Sequence, residues 1–265
     1  MRHGFADTRH GQVHYVEHGV GRPVLLLHQT PRSHDEYRDV LPLLAAAGVR
    51  AVAMDTLGFG MSARPDQALS IELFADAVVD LSDALGFESF TLVGHHTGGV
   101  VAVEVAARLG GRVRALVLSG TPYVDAERRR IVAERPAIDL VCAMDDGSHL
   151  LEYWNKRQPH YPPRRPDLMH RLIHDALAVF DHVEEGHLAV NRYRMEERIH
   201  KVSVPTLVVC GELDDFSLPD VPKLAESIPG AKISIIQGVG VMAVDHRPDL
   251  FAAAITNFFN EHLAE

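Results

Sequence analysis

A histidine stands where a tight turn would aim a reactive side chain into a pocket. Residues 94–99 read Gly-His-His-Thr-Gly-Gly and lie between an apolar run at 90–93 and a helix-like segment at 100–109. In a sharp strand-to-helix turn the neighbouring backbone comes close, so glycine is needed two positions on either side of the central residue. The sequence therefore predicts that His96 points into a pocket, where an imidazole can act as a general base or as a nucleophile.

Short apolar runs and amphipathic segments alternate on both sides of this turn. Residues 71–85 carry apolar side chains at helical spacing, with Ser70 placed to cap the start and Gly86 to close the end. Pro248 opens a last helix. The apolar runs end in polar or glycine residues, as buried parallel strands do. These runs are 24–28, 51–55, 90–94, 115–119, 206–210 and 233–236. The alternation predicts an α/β fold with a mostly parallel sheet.

The pattern changes once, between residues 122 and 199. This segment is charged and aromatic, has helical spacing broken by several prolines, and contains no clear strand. We interpret it as a helical cap inserted into a core that consists of residues 1–121 and 200–265.

Four segments in order resemble the α/β-hydrolase family, and the resemblance extends over essentially the whole chain. Residues 94–99 are similar to its nucleophile elbow and residues 28–31 (HQTP) to its His-Gly-x-Pro turn. Residues 55–62 (DTLGFGMS) resemble its Asp-x-x-Gly-aromatic-Gly-x-Ser loop, and residues 211–214 (GELD) resemble the Gly-x-x-Asp that supplies a catalytic acid. The resemblance implies the α/β-hydrolase fold, an eight-stranded, mostly parallel sheet with a helical cap insertion.

Two departures from the family pattern change the chemistry that the resemblance implies. His96 occupies the nucleophile position in place of serine, cysteine or aspartate. The family's catalytic histidine belongs to a Gly-x-Gly-His loop, but here residues 238–241 read Gly-Val-Gly-Val, so that Val241 stands in its place. An acyl-serine mechanism cannot be written for such a chain. His246 lies five residues later and is expected to be a surface residue rather than a displaced base.

The two departures could compensate each other. An imidazole reaches further from the backbone than a serine hydroxyl, so its far nitrogen could meet Asp214, the acid that the resemblance implies. The carboxylate would then fix the tautomer of His96 and leave its other nitrogen facing the pocket. We predict a His96–Asp214 dyad with a nitrogen–oxygen distance of about 2.6–3.2 Å or one bridging water.

The resemblance also implies an oxyanion hole and a lining for the pocket. The hole would consist of the backbone N–H groups of Gln29 and Thr97, which stabilise developing negative charge whatever the side chains are. His28, Tyr123 and Trp154 are candidate pocket-lining residues, and the two aromatic residues could equally pack inside the cap.

Three functions remain open at this stage. The first is a cofactor-free enzyme that hydrolyses an ester, a lactone or a carbon–carbon bond in a small, uncharged or weakly charged carbonyl compound. The second is a lyase or isomerase that uses His96 as a proton-transfer base. The third is a catalytically silent protein that binds a small ligand. Loss of turnover in a His96→Ala variant would favour the first two.

Charge and composition limit the partners. The net charge of −10 and the isoelectric point of about 5.9 argue against nucleic acid, and the Arg128–Arg130 run is interpreted as a solvated helix face. No run of 18 apolar residues or signal peptide is present, so we expect a cytoplasmic protein without membrane contact. The oligomeric state is open, with a homodimer possible.

Cysteine and histidine usage does not indicate a metal. Cys142 and Cys210 lie in apolar sequence and are expected to be buried. Histidines 28, 95 and 96 converge on one predicted pocket, but no carboxylate completes a recognisable ligand spacing. We therefore expect a small-molecule substrate and no metal.

Overall fold

A computed structural model describes residues 1–262 of the chain. The last three residues of the predicted second core segment lie outside that range. Eight strands form one sheet: β1 (Arg2–Thr8), β2 (Gly11–His18), β3 (Arg22–Leu27), β4 (Val49–Met54), β5 (Phe90–His95), β6 (Val113–Ser119), β7 (Thr206–Gly211) and β8 (Lys232–Ile236). Their order across the sheet is β1-β2-β4-β3-β5-β6-β7-β8. The β1–β2 and β2–β4 pairs are antiparallel and the other pairs are parallel, which confirms the predicted eight-stranded, mostly parallel sheet.

Helices cover both faces of this sheet because successive strand residues point to opposite sides. Leu25 and Leu27 of β3 pack with the helices at Ile71–Ala84 and Thr97–Leu109, whereas Leu26 packs with those at Leu41–Ala46 and Pro248–His262. The helices are α1 (Leu41–Ala46), α2 (Ile71–Ala84), α3 (Thr97–Leu109), α4 (Ala126–Ala133), α5 (Ser148–Arg157), α6 (Pro166–Ala178), α7 (Glu185–Arg192), α8 (Val221–Ser227), α9 (Ala243–His246) and α10 (Pro248–His262). Each fully buried leucine contributes roughly 1.5–3 kcal/mol to this packing.

The start of α2 shows how the sequence sets a local boundary. Ser70 has extended backbone angles, and its hydroxyl accepts a hydrogen bond from the Leu73 N–H at 3.2 Å. Gly86 follows the helix with φ +69°, a conformation that glycine adopts without steric cost. The predicted cap and stop of this helix are thus both present.

The chain between β6 and β7 is helical, with α4 to α7 in the segment predicted as a cap. Its separation from the core as a distinct unit stays a prediction.

The expectation that Cys142 is buried is wrong, because Cys142 lies exposed in the irregular stretch before α5, whereas Cys210 is buried in β7. Within residues 1–262, no helix combines the length and apolar character needed to cross a bilayer.

Candidate active site

His96 occupies a strained turn between β5 and α3. Its backbone angles are φ 46° and ψ −110°, and it is one of two non-glycine residues with positive φ in the described chain. A Cβ on Gly94 would lie 2.2 Å from the Gly98 oxygen, and a Cβ on Gly98 would lie 2.0 Å from the Leu27 oxygen. The two glycines are therefore required by close backbone approach. Strain of this kind costs on the order of 1–3 kcal/mol and is concentrated at functional sites.

His96 and Asp214 face each other without a direct hydrogen bond. The His96 Nε2 atom lies 3.7 Å from the Asp214 Oδ2 atom, and Nε2 is buried with no hydrogen-bond partner in the described chain. The other carboxylate oxygen, Oδ1, accepts hydrogen bonds from the N–H groups of Phe216 at 3.1 Å and Ser217 at 3.0 Å. Asp214 is thus held in place with one oxygen toward the imidazole. The separation is longer than the predicted 2.6–3.2 Å.

Gly120 lies beside the gap between these two groups. Its φ is +50°, and a Cβ there would be 2.9 Å from His96 Nε2 and 3.2 Å from Asp214 Oδ2. Any larger residue at this position would enter the space through which imidazole and carboxylate approach each other.

Burial controls the charge state of both groups. Desolvation, then His95, Arg157, His187 and Arg128, hold the pKa of His96 well below its ordinary value of 6.5. Burial raises the pKa of Asp214, while the hydrogen bonds from the Ser217 and Phe216 N–H groups oppose that rise. His96 is therefore a neutral imidazole near pH 7, with a lone pair available to accept a proton.

One expected oxyanion-hole donor is already engaged. The Gln29 N–H donates to the buried Glu36 carboxyl at 3.0 Å, and the Gln29 side-chain amide donates to the same group at 2.6 Å. Because the Glu36 carboxyl is buried, it needs hydrogen-bond donors. One of its donors is the Gln29 N–H, which the resemblance places in the oxyanion hole. The neighbouring Thr30 N–H instead faces Thr97 Oγ1 at 3.5 Å, and the Thr30 and Thr97 hydroxyls lie 2.9 Å apart.

Thr30 is thus a residue that sequence reasoning missed. A signal for it exists, since proline has no N–H and Pro31 makes Thr30 the last donor of that turn. Thr97 keeps its expected place at the first position of α3, where a helix N–H has no acceptor within the helix. The groups available to a developing oxyanion are the Thr97 N–H and the two threonine side chains.

A cavity of about 790 Å³ lies over the elbow, within the size range of small-ligand sites. His96, Thr97, Thr30, Phe216 and Val241 contribute to its lining, together with residues of the cap segment. Val241 therefore faces the pocket from the position where the family has its histidine. His246 ends α9, is half-buried and does not belong to the lining.

The three residues expected to line the pocket, His28, Tyr123 and Trp154, lie outside its wall. His28 is buried beneath the site, where its Nδ1 donates to the Gln29 oxygen at 2.7 Å and its Nε2 accepts from the Thr56 N–H at 2.9 Å. Tyr123 packs beneath Lys223, and Trp154 contacts the His170 ring with centroids 5.6 Å apart. None of the three belongs to the pocket lining, so that expectation is wrong. Their packing roles were not distinguishable from sequence.

The arginine run at 128–130 is also different from expectation. Only Arg130 has a mostly exposed side chain, paired with Glu127. Arg128 donates to Asp220 at 2.8 Å and Arg129 to Glu196 at 2.9 Å, and both line the pocket. Because α4 forms part of the pocket wall, only Arg130 of this run is mostly exposed to solvent.

Two groups of described residues could each offer three ligands to a metal ion. One is His14, His34 and Asp55, and the other is Asp139, Glu184 and His187. In the first group both imidazoles already bond to the Asp55 carboxylate, at 2.8 and 2.9 Å. Neither group includes His96 or Asp214.

Comparisons with known proteins place the chain in a family. Residues 22–169 match the alpha/beta hydrolase fold family. Haloalkane dehalogenase 2 of Mycobacterium tuberculosis is 36% identical over 122 residues, 46% of this chain and 42% of the dehalogenase, so less than half of that relative is covered. The 2-hydroxy-6-oxo-6-(2'-aminophenyl)hexa-2,4-dienoic acid hydrolase of Metapseudomonas resinovorans is 29% identical over 270 residues, 97% of this chain and 90% of the relative.

The solved structures agree with this placement. A hydrolase from Pseudomonas aeruginosa superposes with a TM-score of 0.81 at 21% identity, over 97% of this chain and 98% of the other. At that identity the match establishes the fold alone. The two curated relatives are named as enzymes, one a dehalogenase and the other a hydrolase. This chain belongs to the α/β hydrolase fold family.

Proposed function

We propose that this protein is a cofactor-free hydrolase of small carbonyl compounds in which His96 acts as a general base. The observation that carries this proposal is the placement of a neutral, unpaired imidazole at the elbow, with Nε2 toward Asp214 and the ring on the wall of a large cavity. An imidazole without a partner is costly to bury, and a role in proton transfer accounts for its retention.

The chemical step can be written with these groups alone. With its proton on Nε2, His96 takes a proton from water through Nδ1, and the water oxygen attacks the carbonyl carbon. The resulting oxyanion accepts a hydrogen bond from the Thr97 N–H and from the hydroxyl pair that Thr97 forms with Thr30. The bond to the leaving group then breaks, and the imidazolium returns its proton to that group.

Asp214 would act by stabilising the imidazolium. Closing the 3.7 Å separation by less than about 1 Å would create a charge-assisted hydrogen bond to Nε2. Catalytic hydrogen bonds are often long before substrate binds and shorten in the complex. The two backbone N–H groups on Oδ1 keep the carboxylate aimed at the ring during this movement.

One relative supports a carbonyl substrate. The similar protein of Metapseudomonas resinovorans is named as a hydrolase of an oxo-substituted dienoic acid, and its match covers 97% of this chain. Esters, lactones and carbon–carbon bonds next to a carbonyl are therefore the substrate classes to test first.

The test is turnover on a panel of small esters, lactones and oxo-substituted dienoic acids. His96→Gln keeps the side chain polar but removes the base, and we expect kcat to fall by about 10²-fold or more. His246→Gln is the matched control, because this half-buried histidine lies outside the pocket and its loss should leave kcat unchanged. A serine-directed fluorophosphonate probe should not label the protein. Full activity in His96→Gln, or specific labelling of a serine, would overturn the proposal.

A silent ligand-binding protein is the second candidate. Two observations favour it, namely the Gln29 N–H engaged by Glu36 and the open separation between His96 and Asp214. If neither wild type nor His96→Gln turns over any compound while a small ligand raises the Tm of both, the ligand-binding function replaces the proposed hydrolase.

A further inference from the structure

The cap side of the pocket is rich in positive charge. Glu184 is the single carboxylate in the lining among the described residues, although the whole chain carries a net charge of −10. Six cationic side chains line the cavity: Arg128, Arg129, Arg135, Lys156, Arg157 and Arg192. A cationic cavity inside an acidic protein attracts an anionic ligand.

Arg157 is the most unusual of these cations. Its side chain is only 9% exposed, and its buried Nε has no hydrogen-bond partner in the described chain. The nearest carboxylate is Asp139, whose Oδ1 lies 3.4 Å from that Nε. Asp139 is occupied otherwise, since it accepts from the Tyr153 hydroxyl at 2.9 Å and lies 2.7 Å from His187 Nε2. Arg157 thus lines the cavity as a nine-tenths buried cation whose nearest carboxylate is shared with two other groups, a costly arrangement unless an anion balances its charge.

Arg128 is a second cation with an unused donor. One Nη atom of Arg128 donates to Asp220, but its buried Nε has no partner in the described chain. Its guanidinium lies 4.6 Å from the centre of the Phe216 ring, which in turn stacks on His96 with centroids 6.0 Å apart. Arg128 and His96 are therefore both neighbours of the Phe216 ring.

We propose that the pocket binds its substrate through a carboxylate group held by Arg157 and Arg128. A planar guanidinium offers parallel N–H donors that match the two oxygens of a carboxylate, so the anion would bind the guanidinium groups that line the cavity and balance their charge. The rest of the ligand then extends toward His96 and Thr97. This inference rests on the proposed function for the reacting end of the ligand only, and it replaces the expected uncharged or weakly charged substrate with an anionic carbonyl compound.

A carboxylate bound to these arginines would also change the pKa of His96, the proposed base. After burial and His95, the charges that hold the pKa of His96 low are those of Arg157, His187 and Arg128, with Asp214 facing the ring from the other side. An anion on these cations offsets their effect and raises the pKa of the imidazole. The base would become stronger when substrate is present.

The test compares benzoate with its neutral isostere benzamide, by calorimetric titration of the full-length protein at low salt. We expect benzoate to bind about tenfold more tightly or better, because charge-assisted hydrogen bonds are roughly twice as strong as neutral ones. The preference should be lost in Arg157→Gln. Since that change leaves the buried Asp139 carboxylate without its neighbouring arginine, the double variant Arg157→Gln/Asp139→Asn removes both charges together. Arg130→Gln on the same helix as Arg128 is the control, because its side chain is 63% exposed and lies outside the lining.

The outcomes separate this inference from the proposed function. The titration is repeated in His96→Gln, which lacks the base but retains both arginines, and the preference for benzoate should persist there. Equal binding of benzoate and benzamide, or a preference that survives in the double variant, would overturn the carboxylate subsite even if esters are hydrolysed. A benzoate preference that disappears with Arg157, in a protein without any turnover, would support the subsite and refute the hydrolase.

Discussion

Substitution of Gly120 tests the geometry of the His96–Asp214 pair. In Gly120→Ala the new Cβ would lie 2.9 Å from His96 Nε2 and 3.2 Å from Asp214 Oδ2, so it would hold the two groups apart. The positive φ of +50° costs on the order of 1–3 kcal/mol for a non-glycine residue. Overpacking against the two side chains adds about 1–3 kcal/mol.

Gly110→Ala is the matched control for this strain. Gly110 has φ +47°, and nothing lies within 4 Å of a Cβ built on it. Both variants should lower Tm, by roughly 2–4 °C for each kcal/mol in a domain of this size, and Gly120→Ala should lower it further. Only Gly120→Ala should lower kcat on the best substrate of the panel, by about tenfold or more. Equal kcat values in the two glycine variants would refute the idea that His96 and Asp214 must approach each other.

Three further predictions follow from the site. The double variant His96→Ser/Val241→His rebuilds a triad with Asp214, so it should gain labelling by a fluorophosphonate probe; an unlabelled, folded double variant would contradict the placement of Val241. Asp214→Asn should lower kcat by about tenfold or more while the protein stays folded, as thermal unfolding would verify, and an unchanged kcat would remove Asp214 from the mechanism. Burial raises the pKa of Glu36 to about 8, so the native state keeps a proton that the unfolded chain releases, and stability falls as pH rises from about 4.5 to about 8. The decrease in Tm between those pH values should be smaller in Glu36→Gln, and an identical pH dependence in both proteins would contradict this assignment.

Local signals in the sequence were sufficient for most of the sheet and for the elbow. Continuous apolar runs identified β3 to β8, since parallel strands are buried on both faces. Strands β1 and β2 were missed because both carry polar residues, among them His14 and Glu17 of β2, whose partners are distant in the chain. His14 pairs with Asp55 at 2.8 Å and Glu17 with Arg50 at 2.8 Å, and neither contact has a local sequence signature.

The parts of the site that backbone geometry positions were predictable from the sequence. The parts that depend on which side chains hydrogen-bond to each other were less predictable. The elbow glycines forced the position of His96, and the resemblance located Asp214 opposite it. The engagement of Gln29 by Glu36 depends on a buried carboxyl seven residues away, which the sequence presents as an ordinary surface charge. The cap residues were assigned least well, because their contacts depend on how α4 and α5 lie over the core.

The most direct test of the central claim is to compare the pH dependence of catalysis with the titration of His96 itself. The pH profile of kcat/KM reports the ionisation of the free enzyme, and NMR of the histidine ring reports the charge of one residue. Because the pKa of His96 lies well below 6.5, its lone pair is available at neutral pH and is lost only on acidification. We predict that kcat/KM is constant around neutral pH and falls in acid at the pH where His96 titrates. A midpoint that differs from the titration of His96, or a profile unchanged in His96→Gln, would contradict the claim that this imidazole is the base.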